Sequence, residues 1–276
     1  MYKIFIFLIL ILFSLSCSKE NIKKSTITEK SLDLQVKEAY LDGMEALEEG
    51  DIFFAAKKFN EVEILFPQSE LAPKSSLMAA YAYYSQDYYI DCISELERFL
   101  RIYKFHKNLD YAYYLLALSY YEQIADEKKD TRSILKSKEY FDFLVNNFPN
   151  TEYAIDARFK IDLINDILAA KEMYVGRYYI EREKWIPAIN RFKVVVEEYD
   201  RTIYIEEALH RLVELHYRMG LVEEAEKYAV ILGYNYGSSK WYEESYKILN
   251  KNYVTAKKED KDQRETILKK FRNLFK

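Results

Sequence analysis

A unit in the mid-thirties of residues recurs along this chain, and a period of that length marks stacked helix pairs, each too small to bury its apolar face alone. Such a pair needs a small residue near the middle of its first helix and another early in its second, where the two axes cross closely. A large apolar wedge follows four residues later, and then a breaker. Five segments meet most of these demands. The first, AYLDGMEALEEGDIFFAAKKFNEVEILFP, has Gly43 and Ala55 at the crossing, Phe59 as wedge and Pro67 as stop. The second uses Ala80, Cys92 and Leu96, and the third Ala117, Ser137 and Phe141 before Pro149. The fourth uses Gly176, Ala188 and Phe192, and the fifth Val213, Gly220 and Ala225. Ala55 and Cys92 are 37 residues apart, as are Ala188 and Ala225, so the unit length is the same at both ends.

This register predicts an all-α fold, an α-solenoid of five tetratricopeptide-type helix pairs. With only 6 Gly and 4 Pro the chain has little punctuation for hairpins, which agrees. Cys92 occupies a slot that other repeats give to Ala or Ser, so it reads as a small buried packing residue. FPQSELA at 66–72 and FPNTEYA at 148–154 each close one helix with Pro and open the next with a Ser or Thr cap, marking repeat boundaries. About eight extra residues around IADEKKDTRS lengthen the turn of the third repeat. No Gly or Pro interrupts 151–168, so a helix there runs on into the fourth repeat. The expected organisation is repeats one to three over 32–150, repeats four and five over 151–255, and a charged tail over 256–276.

Ahead of the repeats, residues 1–16 read as a secretory signal: Lys3 is a short basic start, Ile4 to Leu15 an apolar stretch, and Ser16-Cys17 follows. About 12 apolar residues are too few to span a bilayer, which takes about 20. A cysteine after an apolar run and a small residue is the lipoprotein cleavage pattern, so Cys17 is expected to carry the lipid. The pattern is imperfect, because Ser14 stands where Leu is usual and Leu15 comes one residue late. Ser18, rather than Asp, after the cysteine fits release to the outer membrane, and 17–31 make a polar tether. Cys92 is the only other cysteine, which leaves no intramolecular disulfide once Cys17 is lipidated.

Reactive constellations do not emerge. There is no GxGxxG, P-loop, HExxH, GxSxG or paired CxxC, and no cofactor is implied. Of the three histidines, His106, His210 and His216, the last two lie six apart on one helix, about 240° around it, and do not converge. A net charge of −4 gives no electrostatic case for nucleic acid. The reading is a protein-binding scaffold rather than an enzyme.

In a solenoid of this kind the first helices line the inner surface, and its exposed positions fall three before and one or four after the small crossing residue. Repeats one to three then present Tyr40, Met44, Leu47, Leu77, Tyr81, Tyr84, Tyr114, Leu118 and Tyr121. Five of these nine are Tyr, whereas 27 Tyr in 276 residues would place about one there by chance. Tyrosine offers large contact area with few rotors to freeze, which suits an extended aromatic peptide; the alternative is that neighbouring repeats bury these rings against each other. Repeats four and five present Met173, Arg177, Ile180, His210, Glu214 and Tyr217, a more polar set suited to a folded partner.

Four runs carry a more specific likeness: DYAYYLLALSYYEQ at 110–123, NNFPNTEYAIDARFKIDLINDILAAKEMYVGRYY at 146–179, AINRFKVVVEEY at 188–199, and ALHRLVELHYRMGLVEEAEKYAVILGYNYGSSKWY at 208–242. Through them the mature chain resembles the BamD family of outer-membrane assembly lipoproteins. The resemblance implies five tetratricopeptide repeats in the machinery that inserts β-barrels into the outer membrane, anchored by lipid on its periplasmic face beside other assembly lipoproteins. It implies that the N-terminal repeats take unfolded barrel precursors, which gives Tyr40, Tyr81, Tyr84, Tyr114 and Tyr121 that role. It also implies that the C-terminal repeats dock a POTRA domain of the barrel-forming subunit, with Arg191 of the AINR stretch at the docking position. A general periplasmic adaptor for division or pilus assembly is the alternative from another class. A peptidoglycan-handling enzyme lacks the carboxylate or serine constellation it would need.

Overall fold

The computed structural model describes residues 30–124 and 131–250. Cys17, the signal and the tail at 256–276 therefore lie outside the described residues. Within them are eleven helices and no strand: α1 (Leu32–Glu49), α2 (Ile52–Leu65), α3 (Leu71–Tyr84), α4 (Tyr89–Ile102), α5 (Leu109–Tyr121), α6 (Arg132–Asn147), α7 (Glu152–Glu181), α8 (Trp185–Glu198), α9 (Ile205–Arg218), α10 (Val222–Tyr236) and α11 (Lys240–Leu249). The first ten form five consecutive antiparallel pairs, each packed on the next, and α11 packs on both α9 and α10 to close the stack. Successive first helices α1, α3, α5 and α7 also approach one another closely, while α2 and α4 meet through side chains, with Arg98 Nη1 2.6 Å from Glu63 Oε2 and Asn60 Nδ2 3.2 Å from Glu95 Oε1. The stack therefore curves with its first helices inside.

The pair geometry follows from the side chains at the crossing. Ala55, Cys92, Ser137, Ala188 and Ala225 are all fully buried, and so are the wedges Phe59, Leu96, Phe141 and Phe192. In the first and fourth pairs the crossing is closest. A Cβ on Gly43 would fall 2.8 Å from two ring carbons of Phe59, and one on Gly176 would fall 2.6 Å from two of Phe192, so only glycine lets these rings lie flat on the opposing backbone. Cys92 sits 3.2 Å from Ser119 Oγ in the second core, and burial pushes its thiol up to about 12. It is an inert packing residue.

The helix starts are set by local chemistry. Asp51 Oδ1 accepts the Phe54 N–H at 3.1 Å, and Thr151 Oγ1 accepts the Ala154 N–H at 3.2 Å, each satisfying a first-turn amide that has no partner within its helix. Ser69 Oγ accepts the Leu71 N–H at 3.2 Å, so both boundary stretches use their hydroxyls as the sequence suggests. With Thr151 as its cap, α7 runs unbroken for 30 residues. Its N-terminal half packs Ala157, Ile164 and Leu168 against the third repeat, and its C-terminal half packs Ala169 and Met173 against the fourth. One rigid rod thus joins the two groups of repeats.

Candidate protein-binding surfaces

The tyrosines expected to line the inner surface separate into two situations. Tyr81 on α3 is 41% exposed. The other four are half-buried by neighbouring repeats. Tyr40 lies 5.6 Å from the Phe59 ring with Lys74 Nζ 5.1 Å above it, inside the packing of the first repeat. Tyr84 bridges the second and third cores and stacks edge-on to Tyr89 at 5.8 Å, where burial raises its hydroxyl pKa. Tyr114 donates its hydroxyl to Asp156 Oδ2 at 2.8 Å across the α5–α7 junction; burial and that carboxylate together hold it protonated far above the usual tyrosine range. Tyr121 carries Lys160 Nζ 4.6 Å above its ring, a cation–π contact between the same two helices.

Two further tyrosines, which the counting rule passes over, complete the arrangement. Tyr153, in the first turn of α7, stacks on Tyr114 at 5.0 Å and on Tyr111 of α5 at 5.6 Å. Tyr111 is mostly buried, and its hydroxyl is raised first by that burial and then by the nearby hydroxyls of Tyr81 and Tyr153. The result is an aromatic band, Tyr111–Tyr153–Tyr114, across α5 and α7, with the exposed Tyr81 of α3 nearby. Tyr111 stands three residues before Tyr114, one helical turn along the same face, and that spacing was the available sign of it.

Several positions expected on the inner surface are core instead. Leu77 is 4% exposed and packs on Cys92, Leu96 and Phe99, while Leu118 packs on Phe141 and Leu168. Met173 is fully buried, and His210 is closed off with its Nδ1 2.9 Å from Ser245 Oγ. Leu77, Met173 and His210 stand three before the crossing, a position that points along the stack as much as into the groove, and Leu118, one after it, is covered by Leu168 of the next pair. His216 Nδ1 lies 2.7 Å from the Leu212 carbonyl, so the two histidines of α9 serve different local bonds.

The C-terminal half presents charge where the N-terminal half presents rings. Arg177 Nη1 meets both Glu207 oxygens at 3.0 Å. Arg211 reaches Glu207 at 3.4 Å and Glu214 at 2.8 Å, and Arg218 reaches Glu214 at 2.8 Å. This ladder of alternating sign runs along α9 and ties it to α7. On α8, Arg191 is exposed and pairs with Glu172 Oε2 of α7 at 3.0 Å. It borders a depression of about 220 Å³ whose walls include Tyr179, Ile186, Pro187 and Val194. An exposed guanidinium beside a shallow apolar hollow can anchor a protein partner. Among the described residues no group of His, Cys, Asp and Glu could hold a metal ion, and no helix is long and apolar enough to cross a membrane.

Stacked helix pairs carrying an aromatic band on one half and an arginine-bordered hollow on the other define a helical-repeat scaffold of tetratricopeptide type. The family model described as outer membrane lipoprotein, YfiO, matches residues 32–231. The chain is 39% identical over 199 residues to the outer membrane protein assembly factor BamD of Caulobacter vibrioides, covering 72% of this chain and 65%, just under two thirds, of that protein. It is 39% identical over 182 residues to the BamD of Rickettsia prowazekii (66% of this chain, 72% of that one), and 34% identical over 206 residues to that of Neisseria gonorrhoeae (71% and 76%). The chain belongs to this family of outer-membrane protein assembly factors.

Proposed function

We propose that the chain is a scaffold lipoprotein of the β-barrel assembly machinery, lipid-anchored through Cys17 on the periplasmic face of the outer membrane, and that its two halves hold different proteins. The N-terminal repeats take unfolded barrel precursors on Tyr81 and the band beside it. The C-terminal repeats hold a POTRA domain of the barrel-forming subunit at Arg191 and its hollow, with other assembly lipoproteins alongside. The observation that carries this reading is the division of one stack, within a family of assembly factors, into an aromatic surface and a charged one. Aromatic rings offer sequence-tolerant contact to an extended chain, whereas fixed charges discriminate one folded partner. A general periplasmic adaptor would not account for the family match.

Of the five tyrosines assigned to precursor binding, Tyr81 has the greatest access, Tyr114 belongs to the band itself, and Tyr84 and Tyr121 are half-buried. Tyr40 contributes to the first repeat's own packing. The test is photo-crosslinking of peptides from barrel C-termini to the purified protein. Tyr81→Ala should cut the yield severalfold and leave capture of the barrel-forming subunit intact; an unchanged yield rejects the aromatic surface. Labelled-lipid incorporation, lost in Cys17→Ala, tests the anchor.

A further inference from the structure

The turn between α4 and α5 carries the most exposed large apolar side chain among the described residues, Phe105, at 98%. Its neighbours point the other way. Tyr103 and His106 pack their rings on the buried Phe99 at 5.1 and 5.7 Å, and Tyr103 donates its hydroxyl to Glu63 Oε1 at 2.9 Å. The His106 N–H donates to the Tyr103 carbonyl at 3.1 Å, and the Asn108 N–H to His106 Nδ1 at 3.3 Å. The turn is thus held in shape from inside, and that shape leaves Phe105 projecting between the exposed Lys104 and Lys107. Arg101 and Ile102, at the end of α4, are exposed beside them. No Asp or Glu occurs between Glu97 and Asp110. Arg98 is committed to Glu63 and Glu95, whereas Arg101, Lys104 and Lys107 make no ion pair among the described residues.

The place of this turn in the stack narrows its partner. Because the pairs are antiparallel, the start of α1, the end of α2, the start of α3, the end of α4 and the start of α5 share one end of the stack. Val36 of α1 packs there with Leu65, Phe66 and Leu71, and Ile64 beside Glu63 is 79% exposed. Since α1 begins at this end, the segment that carries Cys17 joins the fold here. A projecting ring set among cations has the opposite shape to a pocket, so its complement is a surface soft enough to admit the ring and rich in negative charge around it. An anionic lipid layer supplies both, with phosphates at its face and apolar chains beneath.

We propose that the α4–α5 turn rests on an anionic lipid surface, with Phe105 entering the headgroup layer and Arg101, Lys104 and Lys107 meeting lipid phosphates, so that this end of the stack faces the membrane. The proposal rests on the reading of the chain as an outer-membrane lipoprotein. The test places photoreactive benzoylphenylalanine at position 105 of the full chain and adds vesicles of phosphatidylglycerol mixed with phosphatidylcholine, or of phosphatidylcholine alone. After irradiation the vesicles are floated and the adducts mapped by mass spectrometry. Lipid adducts are expected on the anionic vesicles, severalfold above those from the same probe at position 234, where Tyr234 of α10 is also almost fully exposed. One lysine at such a surface changes partitioning about fivefold, so Lys104→Glu with Lys107→Glu, at sites exposed enough to spare folding, should lower the yield by at least that much. Adducts to protein alone, a yield no higher than at position 234, or a yield indifferent to the charge reversal or to vesicle charge would each overturn the proposal. Flotation of wild type against Cys17→Ala reads the anchor separately: equal flotation would sink the lipoprotein reading, and the adducts at position 105 would still decide this one.

Discussion

The first and fourth repeats share one device and lead to different surfaces. Gly43 under Phe59 and Gly176 under Phe192 fix the two crossings in the same way. Between them, where α5 meets α7, lie tyrosines packed ring to ring from one repeat to the next; beyond the fourth crossing runs the Arg177–Glu207–Arg211–Glu214–Arg218 ladder. The wedge decides how a pair closes, and the residues on its flanks decide what the closed pair can hold. Surface chemistry can therefore change along a solenoid without disturbing its frame.

Removing the wedges gives the largest expected effects. Phe192→Ala should cost about 3–5 kcal/mol, because a fully buried ring leaves a cavity. Both tryptophans, Trp185 and Trp241, lie in the C-terminal half, so tryptophan fluorescence during urea unfolding reads that half directly. Phe192→Ala should shift the fluorescence transition strongly and Phe59→Ala much less; equal shifts would mean that the two halves unfold as one unit. Gly176→Ala, which drives a Cβ into the Phe192 ring, should cost about 1–3 kcal/mol by the same measurement.

Smaller changes sharpen the contrast between rings and charges. Tyr114→Phe removes the bond to Asp156 and should cost about 1 kcal/mol, read by hydrogen exchange at the α5–α7 junction and insensitive to salt. Glu207→Gln breaks two rungs of a largely solvent-screened ladder, so it should cost about 1 kcal/mol or less and lose that effect in high salt. The smallest effect concerns pH. Burial, aided by Arg211, lowers the pKa of His210 below its ordinary value, so the unfolded chain takes up this proton more readily than the folded one. Its stabilising contribution is complete above about pH 6.5 and declines as the pH falls through the lowered folded value. His210→Asn should flatten that decline in the tryptophan-detected transition and leave the N-terminal half unaffected.

The frame was legible in the sequence because its rules are local. The small residue and its wedge are four apart on one helix, and the glycine beneath the wedge is sixteen residues away in the same pair, so the spacing alone exposes them. The surfaces were less legible because they depend on how one repeat settles on the next. Leu77, Leu118, Met173 and His210 stand at groove positions by count and are covered by neighbours. Tyr153 joins Tyr111 from 42 residues away, and nothing in the sequence of either helix announces the pairing. Arg191 came from likeness to a family, and its exposure at the border of an apolar hollow gives that assignment a physical setting.

Separability of the two surfaces is the claim that most needs a direct measurement. The same preparations of wild type, Tyr81→Ala and Arg191→Glu should be assayed side by side for crosslinking to a barrel C-terminal peptide and for capture of the barrel-forming subunit. Tyr81→Ala should lose the first and keep the second, and Arg191→Glu the reverse. Loss of both activities in either variant, with its tryptophan-detected unfolding transition unchanged, would contradict a scaffold with two independent surfaces.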